Sequence, residues 1–259
     1  MTPRENLLSL YRRSGYQHVP VRIDMCPALW THYAGVAGDR SMEEYFAYPQ
    51  GFCTQGVQGL GDIDRGPVEW AQYYDGGVKE GTRFNRFGVA HEPGSAEAMH
   101  MSRMRHPMEG FTSLEQMQSY PWPEPDLSTQ EQVSASADDA HRNGKAAVGH
   151  MACTIWETAW GIRDMPTLMM DMTLGDEKAT FILDKVTELS VHKATAFARA
   201  GVDIIHTGDD IGMQRAVMMS PEMYREWIKP RLKAVIDAAR AEKPDVLIEY
   251  HSCGYVEPF

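Results

Sequence analysis

The chain is poor in basic residues and has no long apolar run. Its 259 residues include 25 Lys and Arg against 36 Asp and Glu, which gives a formal net charge of −11. Because a nucleic acid requires a basic face to neutralise its phosphates, this balance argues against nucleic-acid binding. No stretch approaches the roughly 20 apolar residues that span a bilayer, and the opening MTPRENLLSLYRRSGYQ lacks the apolar core of a signal peptide. We therefore expect a cytoplasmic protein that contacts neither nucleic acid nor membrane.

Cysteine is also scarce. The four cysteines, Cys26, Cys53, Cys153 and Cys253, are too few and too widely spaced for a disulfide framework. Packing is the default role for each of them, and catalysis and metal binding are the alternatives. Since 43% of the residues are hydrophobic, the chain is long enough to bury a large core in one or two domains.

Short apolar runs alternate with amphipathic stretches along the chain. A capping box begins a helix at Thr2, residues 176–200 follow a long helical pattern, and a further helix starts at Ser220 with Pro230 as a kink inside it. Apolar and β-branched runs predict strands at 19–24, 56–64, 145–153, 201–209 and 245–253.

Nearly continuously apolar strands that alternate with helices predict an α/β fold with a parallel sheet. The stretch 81–111 differs, because aromatic and polar residues alternate there around turn signals, and this predicts a hairpin-rich insertion near 81–120. A (β/α)8 barrel fills about 250 residues, yet only five parallel strands are predicted and the fifth ends the chain. Two architectures stay open: an open sheet, or a barrel whose last strands are missing from this chain.

Chemically active side chains are concentrated at the carboxyl ends of the predicted strands, which form the catalytic rim in both architectures. Taken singly, a His or Cys on a strand is more often a packed core residue, and an Asp after a strand more often caps a helix. Because several of them are predicted on the same rim, a functional site there is favoured. The residues concerned are Cys26, Asp62, Asp64, His150, Cys153, His206, Asp209, Asp210, His251 and Cys253.

Among these residues, His251 and Cys253 are the most specific candidates for metal binding. Positions i and i+2 of a strand face the same side, so the imidazole and the thiol can point into the site together. Both are ligands that zinc prefers, and a catalytic zinc takes three protein ligands and keeps one position open. Cys26 or Cys153 could supply the third ligand, or it could lie beyond residue 259. The alternative is a turn at Ser252 in which Cys253 is a small buried hydrophobe.

Three stretches resemble the uroporphyrinogen decarboxylase superfamily, and within it the zinc-dependent, cobalamin-linked methyltransferases. The third-strand segment of the family is similar to GHMACTIWETAWGIRDMPTLMMDM in this chain, and its fourth-strand segment and following helix are similar to AGVDIIHTGDDIGMQRAVMMSPEMYREWIKPRLKAVIDA. The His-x-Cys zinc motif of the methyltransferases resembles YHSCG. The resemblance implies a single, incomplete (β/α)8 TIM-barrel domain over residues 1–259, with His251 and Cys253 as zinc ligands. It also implies a C-terminally truncated member, since the third ligand of the methyltransferases is a Cys near the last strands.

The chain matches only some of the functional residues of the decarboxylase branch of the superfamily. Those enzymes hold the substrate carboxylates with paired arginines after the first strand, and the corresponding DMCPALWTHYAG here contains none. The catalytic Asp of the decarboxylases is matched by Asp62, but their Tyr after the third strand aligns with Trp160, which has no phenol. Because a neutral side chain does not easily replace a guanidinium that grips a carboxylate, the resemblance favours methyl transfer.

For a methyltransferase, the resemblance implies a zinc-activated small-molecule acceptor, a thiol or a pterin, and a partner protein that carries a methylcorrinoid. Glu157 is then a candidate proton acceptor. Asp209, Asp210 and Gln214 lie where the family has a polar patch, and they are expected to orient a ligating His or contact substrate, with helix capping as the alternative. His150 and Trp160 are expected on the substrate side of the same rim. Family members are often dimers, so a homodimer is expected.

Three functional hypotheses follow from these observations. The first is the zinc-dependent corrinoid methyltransferase. The second is a uroporphyrinogen decarboxylase-like tetrapyrrole lyase, which needs no metal. The third is an inactive or binding-only truncated relative, whose uncovered strand edge would favour association with other chains.

Overall fold

The computed structural model describes residues 1–23, 25–53, 69–95, 102–125 and 130–259. The helices are α1 Pro3–Tyr11, α2 Pro27–Ala37, α3 Met42–Tyr45, α4 Leu114–Gln118, α5 Gln130–Arg142, α6 Trp156–Arg163, α7 Met165–Leu174, α8 Glu177–Arg199, α9 Pro221–Met223 and α10 Lys229–Glu242. The strands are β1 Gln50–Phe52, β2 Arg83–Phe84, β3 Ala90–Pro93, β4 Ser102–Arg105, β5 Ala146–Ala152, β6 Ile204–Gly208 and β7 Leu247–His251.

A parallel sheet in the order β1-β5-β6-β7 forms the centre of the described part of the chain. Its register places Val148 beside Ile204, and Ile204 beside Leu247. Helices α6 to α8 connect β5 to β6, and α9 and α10 connect β6 to β7, as parallel pairing requires. The predicted strands at 145–153, 201–209 and 245–253 are therefore confirmed. Strand β1 is only three residues long and was not predicted.

The strand predicted at 19–24 is wrong for the residues that the structure describes, 19–23, which pair with no strand. Val19 is 65% exposed and Val21 is 54% exposed, so the β-branched pattern does not mark a buried strand here. The Tyr48 hydroxyl accepts the N–H of Ile23 at 3.0 Å and donates to its carbonyl. A side chain thus takes the backbone groups that a neighbouring strand would otherwise pair. The strand predicted at 56–64 lies outside the described residues.

The predicted long helix is confirmed as α8. Asp176 caps its first turn by accepting the N–H of Lys178 at 2.9 Å, and Gly201 follows its end at a φ of +81°. Near Pro230, where the sequence predicts a kink, the helix changes its hydrogen-bonding pattern. A π-helical turn, Tyr224–Ile228, precedes α10, and Pro230 lies in the first turn of α10, where its missing N–H is best tolerated.

The antiparallel hairpins predicted within 81–111 are present as a second sheet in the order β2-β3-β4. Tyr74 supports this sheet by accepting the N–H of Ala90 at 3.0 Å. Trp122 packs in the adjacent core and donates its indole N–H to the Met117 carbonyl at 2.8 Å. None of the described helices combines the length and the apolar character needed to cross a membrane.

One buried carboxylate joins the sheet to two helices. Asp203, immediately before β6, accepts two hydrogen bonds from the Arg4 guanidinium at 2.9 and 2.6 Å and lies 2.9 Å from Nε2 of His141. It also accepts the N–H of Ala147 at 3.0 Å. Burial is the largest single influence and opposes ionisation of Asp203, but the hydrogen bonds from Arg4, Ala147 and His141 together outweigh it, so the pKa of this carboxyl is lowered. The interaction fixes α1, α5 and the start of β5 against β6.

We predict that Asp203→Asn destabilises the protein by about 2 kcal/mol at neutral pH, because the Arg4 guanidinium loses a charged partner. Since the pKa of Asp203 is lowered in the folded state, its contribution is present above the unfolded pKa, about 4, and is lost as the pH falls through the folded pKa. Urea unfolding of both proteins at several pH values measures this difference. Asp139→Asn, an exposed control on α5, is expected to change stability by less than about 0.5 kcal/mol. An equal effect of the two substitutions would contradict the prediction.

Candidate functional site

A sulfur, a nitrogen and a carboxylate oxygen meet at the carboxyl ends of β6 and β7. The group comprises Asp210, His251 and Cys253, and all of its ligand atoms lie within 4.8 Å of one another. Sγ of Cys253 is 3.4 Å from Nε2 of His251, and the same Nε2 is 3.7 Å from Oδ1 of Asp210. We call these three residues the donor cluster.

The donor cluster is assembled from two adjacent strand ends. His251 is the last residue of β7 and Cys253 follows two positions later, so both side chains leave the strand on one side, as the sequence predicts. Asp210 follows β6 by two residues and accepts the N–H of Cys253 on Oδ1 at 2.7 Å. The Ser252 hydroxyl accepts the N–H of Ile211 at 3.1 Å, which ties the two loops together again.

Glycine allows the two loops to approach this closely. A Cβ on Gly208 would lie 2.1 Å from the His251 carbonyl oxygen, and one on Gly254 would lie 2.6 Å from the Gly212 carbonyl carbon. No side chain can occupy such space without moving the backbone. The glycines at these positions therefore bring Asp210 within reach of the other two donors.

The donor cluster fits a zinc ion. With bond lengths of about 2.3 Å to sulfur and about 2.0–2.2 Å to nitrogen and oxygen, tetrahedral zinc separates its ligand atoms by roughly 3.3–3.6 Å. The separations of 3.4 Å and 3.7 Å are close to these values. The side chains of His251 and Asp210 are 57% and 39% exposed, so a fourth position on the ion would be open to a small molecule.

The candidate for the third zinc ligand in the structure is the Asp210 carboxylate. The sequence leaves this ligand open between Cys26, Cys153 and a residue beyond 259, and it predicts a substrate contact for Asp210. Among the described residues, Asp210 is the donor that joins His251 and Cys253, and neither other cysteine does. The available signal was the position of Asp210 just past a strand that neighbours β7.

Glu157 lies beside the donor cluster. Its Oε2 accepts the N–H of Asp210 at 2.9 Å, and its side chain lies beside the thiol of Cys153. Burial raises the pKa of Glu157, and the nearby charge of Asp210 adds to that effect. Burial, together with the charge of Glu157, also raises the pKa of the Cys153 thiol to about 12. Glu157 is thus a half-buried carboxylate in contact with the donor cluster, and its role as a proton acceptor stays a prediction.

Asp209 is buried, and its carboxylate holds the first turn of α6. It accepts the N–H of Ile155 at 3.0 Å and the N–H of Glu157 at 2.9 Å. Burial raises the pKa of Asp209 to about 7, although these backbone bonds oppose the shift. Its geometry is that of a helix cap, the alternative that the sequence left open, and the cap orients Glu157.

Three histidines form a row across β5, β6 and β7. The rings of His150 and His206 stack at 4.9 Å between centroids, and His251 follows at 6.4 Å. Burial, and then the neighbouring His206, lower the pKa of His150. Glu249, which sequence reasoning missed, lies 2.9 Å from Nδ1 of His206. The row leads from the interior face of the sheet to the donor cluster.

The remaining predicted site residues lie in different places. Trp160 lines a cavity of about 240 Å³ together with Glu157, and its ring lies 6.1 Å from that of His106. Gln214 is exposed in the turn closed by the bridge between Gly212 and Val217. Asp62 lies outside the described residues.

We predict that Asp209→Asn flattens the pH dependence of stability. The pKa of Asp209 is about 7 in the folded state and about 4 in the unfolded state. The contribution of protonated Asp209 to the free energy of unfolding is therefore complete below the unfolded pKa, and it is lost as the pH rises through the folded pKa. The variant has no such titration, and its stability relative to the original chain should rise between about pH 5 and about pH 8. Urea unfolding across this range measures the difference. A relative fall would show that the backbone N–H groups keep this carboxylate ionised.

Comparison with known proteins places the chain in a family. The family described as Uroporphyrinogen decarboxylase (URO-D) matches residues 108–259, more than half of the chain. No curated protein sequence matches the chain. Among solved structures, a methyltransferase from Methanosarcina mazei is similar over 100% of this chain and 72% of its own, with a TM-score of 0.52 and 17% sequence identity.

The structural similarity confirms the TIM-barrel type of fold that the resemblance implied, and the residues matched by the family include the whole donor cluster. The chain belongs to the uroporphyrinogen decarboxylase (URO-D) family.

Proposed function

We propose that the chain is a methyltransferase that moves a methyl group between a methylcorrinoid protein and a small-molecule thiol or pterin, with a zinc ion activating the acceptor. The observation that carries the proposal is the donor cluster of Asp210, His251 and Cys253, because a neighbouring thiol, imidazole and carboxylate are a zinc-binding set. The similarity in fold to a methyltransferase supports it.

The binding side chains favour methyl transfer over tetrapyrrole decarboxylation. Residues 24–35 contain no arginine, and the family resemblance aligns Trp160 with the Tyr of the decarboxylases. A substrate with many carboxylates would need guanidinium partners at that place. Decarboxylation remains the second candidate because the family takes its description from it, and release of carbon dioxide from uroporphyrinogen would identify it.

The residues of this chain have distinct roles in the proposed reaction. His251, Cys253 and Asp210 would hold zinc, which supplies Lewis acidity that lowers the pKa of an acceptor thiol. Glu157 would take the thiol proton, since its raised pKa brings it closer to the working pH. The acceptor sulfur then forms a bond to the methyl carbon, and the electron pair of the broken bond stays with the corrinoid.

The exposed position of the donor cluster suits a reaction between two proteins. Cys253 is exposed, and the His251 side chain is 57% exposed at the rim of the sheet. A corrinoid protein must bring its methyl group within bonding distance of the acceptor, so the acceptor site has to be reachable from outside. The row of His150 and His206 would line the interior side of the same site.

We predict that the purified protein binds about one zinc per chain through the donor cluster. Cys253→Ser and His251→Ala should each remove the ion, and Asp210→Asn should weaken its affinity by about tenfold or more. Elemental analysis and competition with a chromogenic chelator measure both quantities. Cys26→Ser is the matched control, because Cys26 is also exposed but lies outside the cluster, and it should leave zinc unchanged. If Cys26→Ser lost as much zinc as Cys253→Ser, the donor cluster would not be the zinc site.

We predict that the zinc-loaded protein demethylates free methylcobalamin in the presence of a small thiol, and that chelation stops the reaction. Glu157→Gln should slow transfer by about 100-fold and flatten its pH profile, because the amide cannot accept the proton. The absorbance change of the corrinoid follows the reaction. Glu177→Gln, on the first turn of α8, is the control expected to leave the rate unchanged. Full activity of the chelated protein would contradict the zinc-dependent mechanism.

A further inference from the structure

The cavity of about 240 Å³ beside Trp160 separates the antiparallel sheet from the helix that carries Glu157. We call it the hairpin cavity, because one wall comes from the β2-β3-β4 sheet and the other from α6. The roles proposed above give a function to Glu157 but not to the space beside it. The lining includes Glu157, Trp160 and Gly161 from α6 and Phe87, Val89 and Met104 from the hairpins.

The residues from α6 connect the hairpin cavity to the donor cluster. Positions i, i+3 and i+4 of a helix share one face, and Glu157, Trp160 and Gly161 have this spacing. Glu157 lies in the first turn of α6, and its Oε2 accepts the N–H of Asp210 at 2.9 Å. The cavity therefore adjoins the donor cluster through the carboxylate that is proposed to take the acceptor proton.

The walls of the hairpin cavity offer apolar contacts more than hydrogen bonds. Phe87 and Val89 are buried side chains. Asn85 also lines the cavity, but its Oδ1 already accepts the N–H groups of Phe87 at 2.9 Å and of Val89 at 3.0 Å. The Thr158 hydroxyl donates to the Cys153 carbonyl. A ligand with many polar atoms would lose hydrogen bonds to water on entering this space.

The size of the hairpin cavity matches one aromatic ring. An apolar cavity of about 150 Å³ holds benzene, and this cavity has a volume of about 240 Å³. Phe87 and Trp160 present rings against which an aromatic body can stack or make edge contacts, and His91 and Met104, paired across β3 and β4, add to the lining. Because a pterin carries many ring nitrogens that need partners, these walls favour a thiol with an apolar body.

We infer that the acceptor of the proposed methyl transfer is a small aromatic thiol, whose ring occupies the hairpin cavity while its sulfur lies at Glu157 beside the donor cluster. The inference rests on the proposed function and names its substrate class. The sulfur gives its proton to the Glu157 carboxylate and bonds to the methyl carbon as the corrinoid–methyl bond breaks, and the electron pair of that bond stays with the corrinoid. Trp160 and Gly161 then determine specificity.

Gly161 allows the hairpin cavity to be filled without changing Glu157 or the donor cluster. A Cβ at this position would lie 3.9 Å from Cγ2 of Val89, which is an ordinary contact. Gly161→Ala should therefore fit, whereas the longer side chain of Gly161→Leu would take up space meant for the ring. Both substitutions replace a glycine within a helix by a better helix former.

The kinetic test compares phenylmethanethiol with ethanethiol as acceptors, with zinc-loaded protein and free methylcobalamin. The unaltered chain should have a kcat/KM at least about tenfold higher for phenylmethanethiol, because its ring is buried. Gly161→Leu should lower this ratio by about tenfold, and Gly161→Ala should lower it less. Thr173→Leu, an exposed change on α7 outside the cavity, is the control and should keep the ratio.

Binding to the metal-free chain tests the hairpin cavity without methyl transfer. Phenylmethanol has the ring but not the thiol, and it should give saturation-transfer NMR signals with the chelated, unaltered protein. Gly161→Leu should abolish these signals, and Thr173→Leu should retain them. Phenylmethanol should also inhibit transfer to phenylmethanethiol competitively in the zinc-loaded, unaltered chain.

Three results would each overturn the inference: no binding of phenylmethanol to the unaltered chain, a kcat/KM for ethanethiol equal to or above that for phenylmethanethiol, or an equal loss for both thiols in a folded Gly161→Leu. The first two need no variant. Failure of transfer to every thiol, with binding of phenylmethanol intact, would overturn the proposed function and the acceptor role but not the binding of an aromatic ring. The two failures are thus distinguishable.

Discussion

The contact between the loops that follow β6 and β7 is the constraint on which the candidate site depends. The backbone of Gly208 contacts that of His251, and the backbone of Gly212 contacts that of Gly254. Both contacts are too close for a Cβ on the glycines. The loops are then joined by the bond from the Cys253 N–H to Asp210. Parallel pairing of the two strands sets the starting positions, and the glycines allow the loops to close over them.

This constraint extends from the donor cluster to the neighbouring helix. The N–H of Asp210 is bound by Glu157, and the N–H of Glu157 is bound by Asp209. Two consecutive acidic residues after β6 therefore have separate roles, since one side chain faces the cluster and the other caps α6. A displacement of the β6 end would move the candidate zinc ligand and the candidate proton acceptor together.

Local patterns in the sequence predicted much of this arrangement. The spacing of His251 and Cys253 was sufficient to place both on one side of a strand, and the apolar runs located β5, β6 and β7. The position of Asp210 just past a strand did not suffice to predict its contact with His251 and Cys253, because that contact depends on which strands are neighbours and on how closely their loops approach. For the same reason a β-branched run at 19–23 gave a false strand, and the short β1 was missed.

X-ray absorption at the zinc edge of the zinc-loaded protein would identify the atoms bound to the ion and their distances. We expect one sulfur neighbour at about 2.3 Å and nitrogen or oxygen neighbours at about 2.0–2.2 Å, with the sulfur lost in Cys253→Ser and retained in Cys26→Ser. A zinc spectrum without sulfur, or one that Cys253→Ser leaves unchanged, would contradict the donor cluster as the metal site.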